Sequence, residues 1–167
     1  RICMQQLDAD EMNTLLSRRT FTHRLLATFA LAAVGLSALP ADAAGNKLTI
    51  FKSPSCGCCQ AWADHMQRAG FNVEIVQAED LSPIKVQFGV PRILEACHTA
   101  TVDNYVIEGH VPAGDVKRLL RERPKAIGLA VPGMPIGSPG MEQGNQREPF
   151  KTILFGETGY YVFGNHT

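Results

Sequence analysis

The chain has 167 residues, with 16 basic side chains against 16 acidic ones and a formal net charge of zero. That length accommodates one domain with its own hydrophobic core and leaves little room for a second. With no basic surplus the sequence argues against nucleic acid, and with no charge run it argues against a membrane surface.

In chain order, the first recognisable unit starts near Met12. A basic stretch "SRRTFTHR" precedes the apolar run "LLATFALAAVGLSALP" and the segment "ADAAGNK", which contains Ala41-x-Ala43. This order reads as a secretory signal peptide. The apolar run is short for a spanning helix. Residues 1–43 are therefore expected to be a pre-sequence and export signal that is removed, leaving 44–167 as a single domain with no membrane attachment. Ser17-Arg18-Arg19-Thr20-Phe21 also resembles a twin-arginine export signal. Either route predicts a periplasmic protein, and Cys3 is lost with the leader.

"KLTIFKS" (47–53) reads as a strand that runs into Pro54 and three cysteines, and "CQAWADHMQRAG" (59–70) as a helix ended by Gly70. "FNVEIVQ" (71–77) alternates like a strand. "DLSPIKVQFG" (80–89) reads as a second helix with Pro83 in its first turn, and "PRILEA" (91–96) as a helical turn. "TATV" and "YVIEG" (105–109) are two strands joined at Asp103-Asn104. "VPAGDVKRLLRERP" (111–124) is the third helix. Residues 128–149 are dense in Gly and Pro and show neither helical nor strand period. "FKTILFG" and "YYVFGNH" form a hairpin around Glu157-Thr158-Gly159. The order β-α-β-α-β-β-α predicts a thioredoxin-like α/β fold: a mixed sheet flanked by helices, with the Gly/Pro-rich loop and C-terminal hairpin added to it. No coiled-coil pattern or apolar interface stripe opposes a monomer.

The chemistry concentrates in "SPSCGCCQAW", where Cys56, Cys58 and Cys59 fall within four positions. Cys56 and Cys59 form a Cys-x-x-Cys pair at a strand-to-helix junction, the place of a redox dithiol. Unpaired N–H groups at a helix start stabilise thiolate, which both attacks disulfides and binds metal. The third thiol, Cys58, adds nothing obvious to thiol exchange. It suits a metal site, because crowded thiolates repel one another unless a cation sits among them. Cys97-His98 precedes the third predicted strand and is expected to face the cluster; as a bland alternative Cys97 is a small buried apolar residue. Zinc, iron–sulfur and Cu(I) all accept thiolates. A closed zinc site usually takes two separated cysteine pairs, and the longer cysteine spacings of iron–sulfur proteins are absent. Cu(I) also accepts imidazole and thioether. Met134 and Met141, in "PGMPIGSPGME", are candidates, although methionine more often fills a core. His98 ranks first among the histidines because it adjoins Cys97, and His110 second. His65 is expected to pack or face water, and His166 is given no role.

"KSPSCGCCQAW", "ACHTATVDNYVIEGHVPAGDVKRLL" and "GLAVPGMPIGSPGME" together resemble the CopG family of periplasmic copper-resistance proteins, across essentially all of residues 47–166. The resemblance implies a thioredoxin-like fold, several copper ions near the cysteine motif, and a role in copper tolerance with interconversion of Cu(I) and Cu(II). Carried over by motif, the implied ligands are Cys56, Cys58, Cys59, Cys97 and His98, with Met134, Met141 and His110 behind them. Implied partners are copper ions and other periplasmic copper-handling proteins. The alternative function is a thiol–disulfide oxidoreductase, with Cys56 as nucleophile and Cys59 as resolving thiol.

Overall fold

The structure is a computed structural model whose described residues are 45–167. The expected export signal and Cys3 lie outside them. Among the described residues, no helix is long and apolar enough to cross a membrane.

The elements run β1 (Lys47–Lys52), α1 (Gly57–Arg68), β2 (Asn72–Gln77), α2 (Ser82–Gln87), a 3-10 turn (Arg92–Leu94), β3 (His98–Val102), β4 (Tyr105–Glu108), α3 (Ala113–Glu122), β5 (Gly128–Ala130), β6 (Phe150–Gly156) and β7 (Gly159–His166). They build one seven-stranded sheet in the order β2-β1-β3-β4-β5-β6-β7. β1 pairs parallel with β2 and antiparallel with β3, so the end of β1 lies beside the start of β3, with Lys52 opposite His98. β4 pairs antiparallel with β3 and parallel with β5, and β6 and β7 continue the sheet as an antiparallel hairpin.

Strand periodicity assigns the two faces. Leu48, Ile50, Ala100, Val102, Tyr105, Ile107 and Leu129 join Trp62, Met66, Val116 and Leu119 in the larger core, under α1 and α3. Val106, Ala130 and Phe155 point the other way and pack with Val90 and Leu94, beside α2 and the 3-10 turn. Phe51 meets Phe88 on that second side, ring centroids 5.5 Å apart. Helical segments therefore cover both faces of a mixed sheet, as expected of a thioredoxin-like domain.

Two expectations are corrected. Residues 128–149 are not loop throughout, because Gly128–Ala130 forms β5 between β4 and β6. Gly128 is required there: an added Cβ would lie 1.8 Å from the Val106 carbonyl oxygen. The first helix starts earlier than residue 59. Cys56 is its N-cap in extended backbone, so Cys58 and Cys59 occupy the first turn. Gly70, at φ +95°, ends the helix region as expected.

Candidate metal centre

Leaving β1, the chain turns at Ser53–Cys56, where the Cys56 N–H donates to the Ser53 carbonyl at 3.1 Å. No side chain caps α1. Its first N–H groups therefore lack the usual Ser, Thr, Asp or Asn oxygen. Cys56 and Cys59 form a disulfide, with Cα atoms 5.4 Å apart, while Cys58 and Cys97 are free.

Cys97 reaches this cluster because β1 and β3 are adjacent and antiparallel. Its Sγ lies 4.0 Å from Cys58 Sγ, and Cys58 Sγ lies 3.5 Å from Cys56 Sγ. The four sulfur atoms of Cys56, Cys58, Cys59 and Cys97 all fall within 4.8 Å of one another. Burial and the neighbouring Cys58 push the Cys97 thiol up to about 12. Without a cation, Cys97 is a neutral thiol at physiological pH.

A second cluster shares Cys97. Its Sγ is 3.0 Å from His110 Nε2 and 3.3 Å from His98 Nδ1. The three donor atoms also lie within 4.8 Å of one another. His110 follows β4 through Gly109, at φ +70°, where a Cβ would lie 2.6 Å from the Ala96 Cβ and 2.7 Å from the Val131 carbonyl oxygen. Only glycine lets the chain turn so close to the segment before Cys97. The His110 Nδ1–H donates to the Pro139 carbonyl at 2.8 Å. That bond fixes the tautomer in the neutral ring and leaves the Nε2 lone pair facing Cys97. Burial holds His110 below the ordinary histidine range.

His98 is fully buried and packs on Trp62 (centroids 4.4 Å apart) and edge-on to His110 (5.0 Å). Burial, with the His110 and Lys85 charges, depresses it strongly. Among the described residues its Nε2 has no hydrogen-bond partner. A ligating histidine normally anchors its second nitrogen on an acceptor. His110 has that anchor and His98 lacks it, an ordering opposite to the one that adjacency to Cys97 suggests.

The Gly/Pro-rich loop closes over the helix start. Val131 N–H donates to the Glu108 carbonyl at 3.0 Å. Gly140, at φ +86°, passes so near α1 that a Cβ would lie 2.7 Å from Trp62 N and 2.8 Å from the Cys58 carbonyl oxygen. Met141 follows directly and is half-buried, whereas Met134 is 53% exposed. His65 packs, as expected: its Nε2 accepts from the Ala113 N–H at 3.3 Å. His166 pairs with Asp115 at 2.9 Å and ties β7 to the start of α3.

One buried group was not anticipated. Lys85 of α2 pairs with Glu108 of β4 at 2.5 Å, and Glu108 also accepts the backbone N–H of Ala96, next to Cys97. In sequence, Lys85 looks like an exposed helix residue and Glu108 like the end of a strand. The one available signal was that "YVIE" puts Glu108 on the same face as the apolar Val106.

The fold and the site define a class: a thioredoxin-like domain whose first helix starts in a thiol cluster facing a Cys–His arm of β3 and β4. A family model described as "Protein of unknown function, DUF411" matches residues 94–141, which span that arm and the loop. No curated protein matches. Two solved structures of the copper resistance protein CopG are similar over about three quarters of this chain. Form 2 is 37% identical, covers 74% of this chain and 99% of its own, and has a TM-score of 0.71. Form 1 is also 37% identical, covers 73% and 98%, and has a TM-score of 0.69. The chain belongs to the CopG family.

Proposed function

We propose that this protein is a periplasmic copper-binding protein of copper resistance. It holds Cu(I) as cargo in the cluster of Cys56, Cys58, Cys59 and Cys97, completed by His110, with His98, Met141 and Met134 as further candidates. The observation that carries the reading is the gathering of four sulfur atoms within 4.8 Å, around a Cys97 that also meets the His110 Nε2 lone pair. Four thiols in that space cannot ionise together in a half-buried site unless cations neutralise them. Several thiolates with an imidazole suit Cu(I) better than hard oxygen-seeking ions. The name of the CopG structures supports the same metal.

Binding at full capacity requires the Cys56–Cys59 disulfide to be reduced, which makes those two sulfur atoms available as ligands. The positive end of α1 then favours the thiolate form of the three helix-start cysteines. Pro139 holds His110 with its lone pair toward Cys97, and the Gly140 loop covers the helix start. We extend the reading to interconversion of Cu(I) and Cu(II) with an external one-electron partner.

The test is anaerobic Cu(I) reconstitution of the reduced protein. More than one copper per chain is expected, with Cys58→Ser and Cys97→Ser each lowering the number. Undiminished copper binding by Cys58→Ser would overturn the reading. The second reading, a thiol–disulfide oxidoreductase, draws on the Cys56–Cys59 disulfide itself. It requires dithiol-dependent insulin reduction that survives Cys58→Ser and is lost in Cys56→Ser.

A further inference from the structure

The carboxylate of Glu108 is fully buried and accepts three hydrogen bonds, from the sheet, from α2 and from the loop that leads to Cys97. Its Oε1 accepts from Lys85 Nζ at 2.5 Å and from the Ala96 N–H at 2.6 Å. Its Oε2 accepts from the Thr99 hydroxyl at 2.7 Å, and Lys85 Nζ donates to that same hydroxyl at 3.0 Å. Ala96 and Thr99 bracket Cys97-His98, and Glu108 itself precedes Gly109-His110. One carboxylate thus ties down both chain segments that carry Cys97, His98 and His110.

A purely stabilising role explains this arrangement poorly. Taking a lysine and a glutamate out of water costs more than a packed apolar pair of similar volume, so a buried ion pair is weak evidence of stability. Its specific contribution is directional: fully satisfied buried networks fix one arrangement of the groups they join. The one backbone donor in this network belongs to Ala96, immediately before the cysteine shared by both clusters.

We propose that Glu108, held by Lys85 and Thr99, is a positioning residue for the copper site: through the Ala96 N–H it fixes where Cys97 stands relative to Cys58 and His110. Its purpose rests on the copper reading above, but its geometric content does not. Glu108 touches no sulfur and is assigned no ligand role. Replacing the carboxylate by an amide removes the charge that binds Lys85 and Ala96 together, while the side chain keeps its size.

The experiment uses the reduced, copper-free protein carrying Glu108→Gln, Thr99→Val or Thr99→Ser. Ile107→Val serves as a control for ordinary core loss on the same strand. In Glu108→Gln, amide exchange at Ala96 and the N-ethylmaleimide rate of Cys97 relative to Cys58 should each rise about tenfold, the scale of one lost hydrogen bond to a charged group. Thr99→Val should move both in the same direction, and Thr99→Ser should restore them. Ile107→Val should change neither ratio. Cu(I) competition with a chromogenic chelator should show about tenfold weaker binding by Glu108→Gln than by the parent chain. Should Glu108→Gln fail to fold, Thr99→Val against Thr99→Ser decides. The proposal is overturned if folded Glu108→Gln, or Thr99→Val, leaves Ala96 and Cys97 indistinguishable from the Ile107→Val control. A parent protein that binds no copper would defeat the copper reading instead, and the exchange and alkylation rates would still decide this one.

Discussion

The site has two halves built by opposite means. The helix-start half, Cys56–Cys59, sits on a turn and an uncapped first turn of α1, and two of its thiols are joined as a disulfide. The strand half, Cys97 with His98 and His110, sits where β3 begins and just past the end of β4, with both histidines fully buried and the Lys85–Glu108–Thr99 network behind it. The first half can change its chemistry, from dithiol to disulfide, at a helix start where only Cys59 of the three cysteines is fully buried. The second can change little without disturbing the sheet. A thiol site of this kind combines a redox-labile face with a fixed one, and the fixed face sets where the labile one must close.

The largest effect should come from breaking the fixed half. Lys85→Ala leaves Glu108 buried without its cation and should cost about 3–5 kcal/mol, read as a lower urea midpoint. Opening the labile half should cost less. The disulfide spans a sequence separation of only 3, so reducing it should lower unfolding stability by about 2 kcal/mol or less. If reduction cost more than Lys85→Ala, the contrast between the halves would be wrong.

The loop that joins them comes next. Gly140→Ala places a Cβ against Trp62 and Cys58 at a positive φ, and should cost about 1–2 kcal/mol. It should also weaken copper binding by shifting Pro139 away from His110.

The pH dependence separates the halves further. His65, His98 and His110 are all held below their ordinary value of 6.5, with burial as the first cause. In the unfolded chain they take up protons near 6.5 while the folded protein resists. Stability is therefore fully present above that value and lost as pH falls below it. Cys97 works on the alkaline side: raised from 9.0 to about 12, it contributes stability below pH 9 that is lost as pH rises toward 12. Urea midpoints should fall on both flanks, and Cys97→Ser should flatten only the alkaline one. The smallest effect is expected from Met134→Leu, within about 0.5 kcal/mol because Met134 is half exposed; Met141→Leu should perturb copper binding more.

Much of the fold was legible because its elements carry clean local signals. β1, β2, α1 and α3 announce themselves by period, Gly70 ends α1, Pro83 opens α2, and Asp103-Asn104 mark the turn between β3 and β4. β5 was not legible. Gly-Leu-Ala has no alternation to read, and it is a strand only because β4 and β6 pair with it on either side. In the site, the crowding of Cys56, Cys58 and Cys59 is a property of the sequence itself, and the β-α-β-α-β-β-α order anticipates the approach of Cys97. The relative standing of His98 and His110 was hidden, because it depends on the Pro139 carbonyl, supplied from 29 residues away. The Lys85–Glu108 pair was hidden for the same reason: an ion pair across 23 residues leaves no local pattern.

Trp62 is the only tryptophan of the chain. It is wholly buried, donates its indole N–H to the Val111 carbonyl at 2.9 Å, and lies against the His98 ring. The molecule therefore carries a built-in optical probe one helical turn from Cys58 and in contact with the histidine arm. Its emission should be quenched as copper loads or His98 gains a proton, so filling of the centre can be followed in real time, without a label, on the unmodified protein.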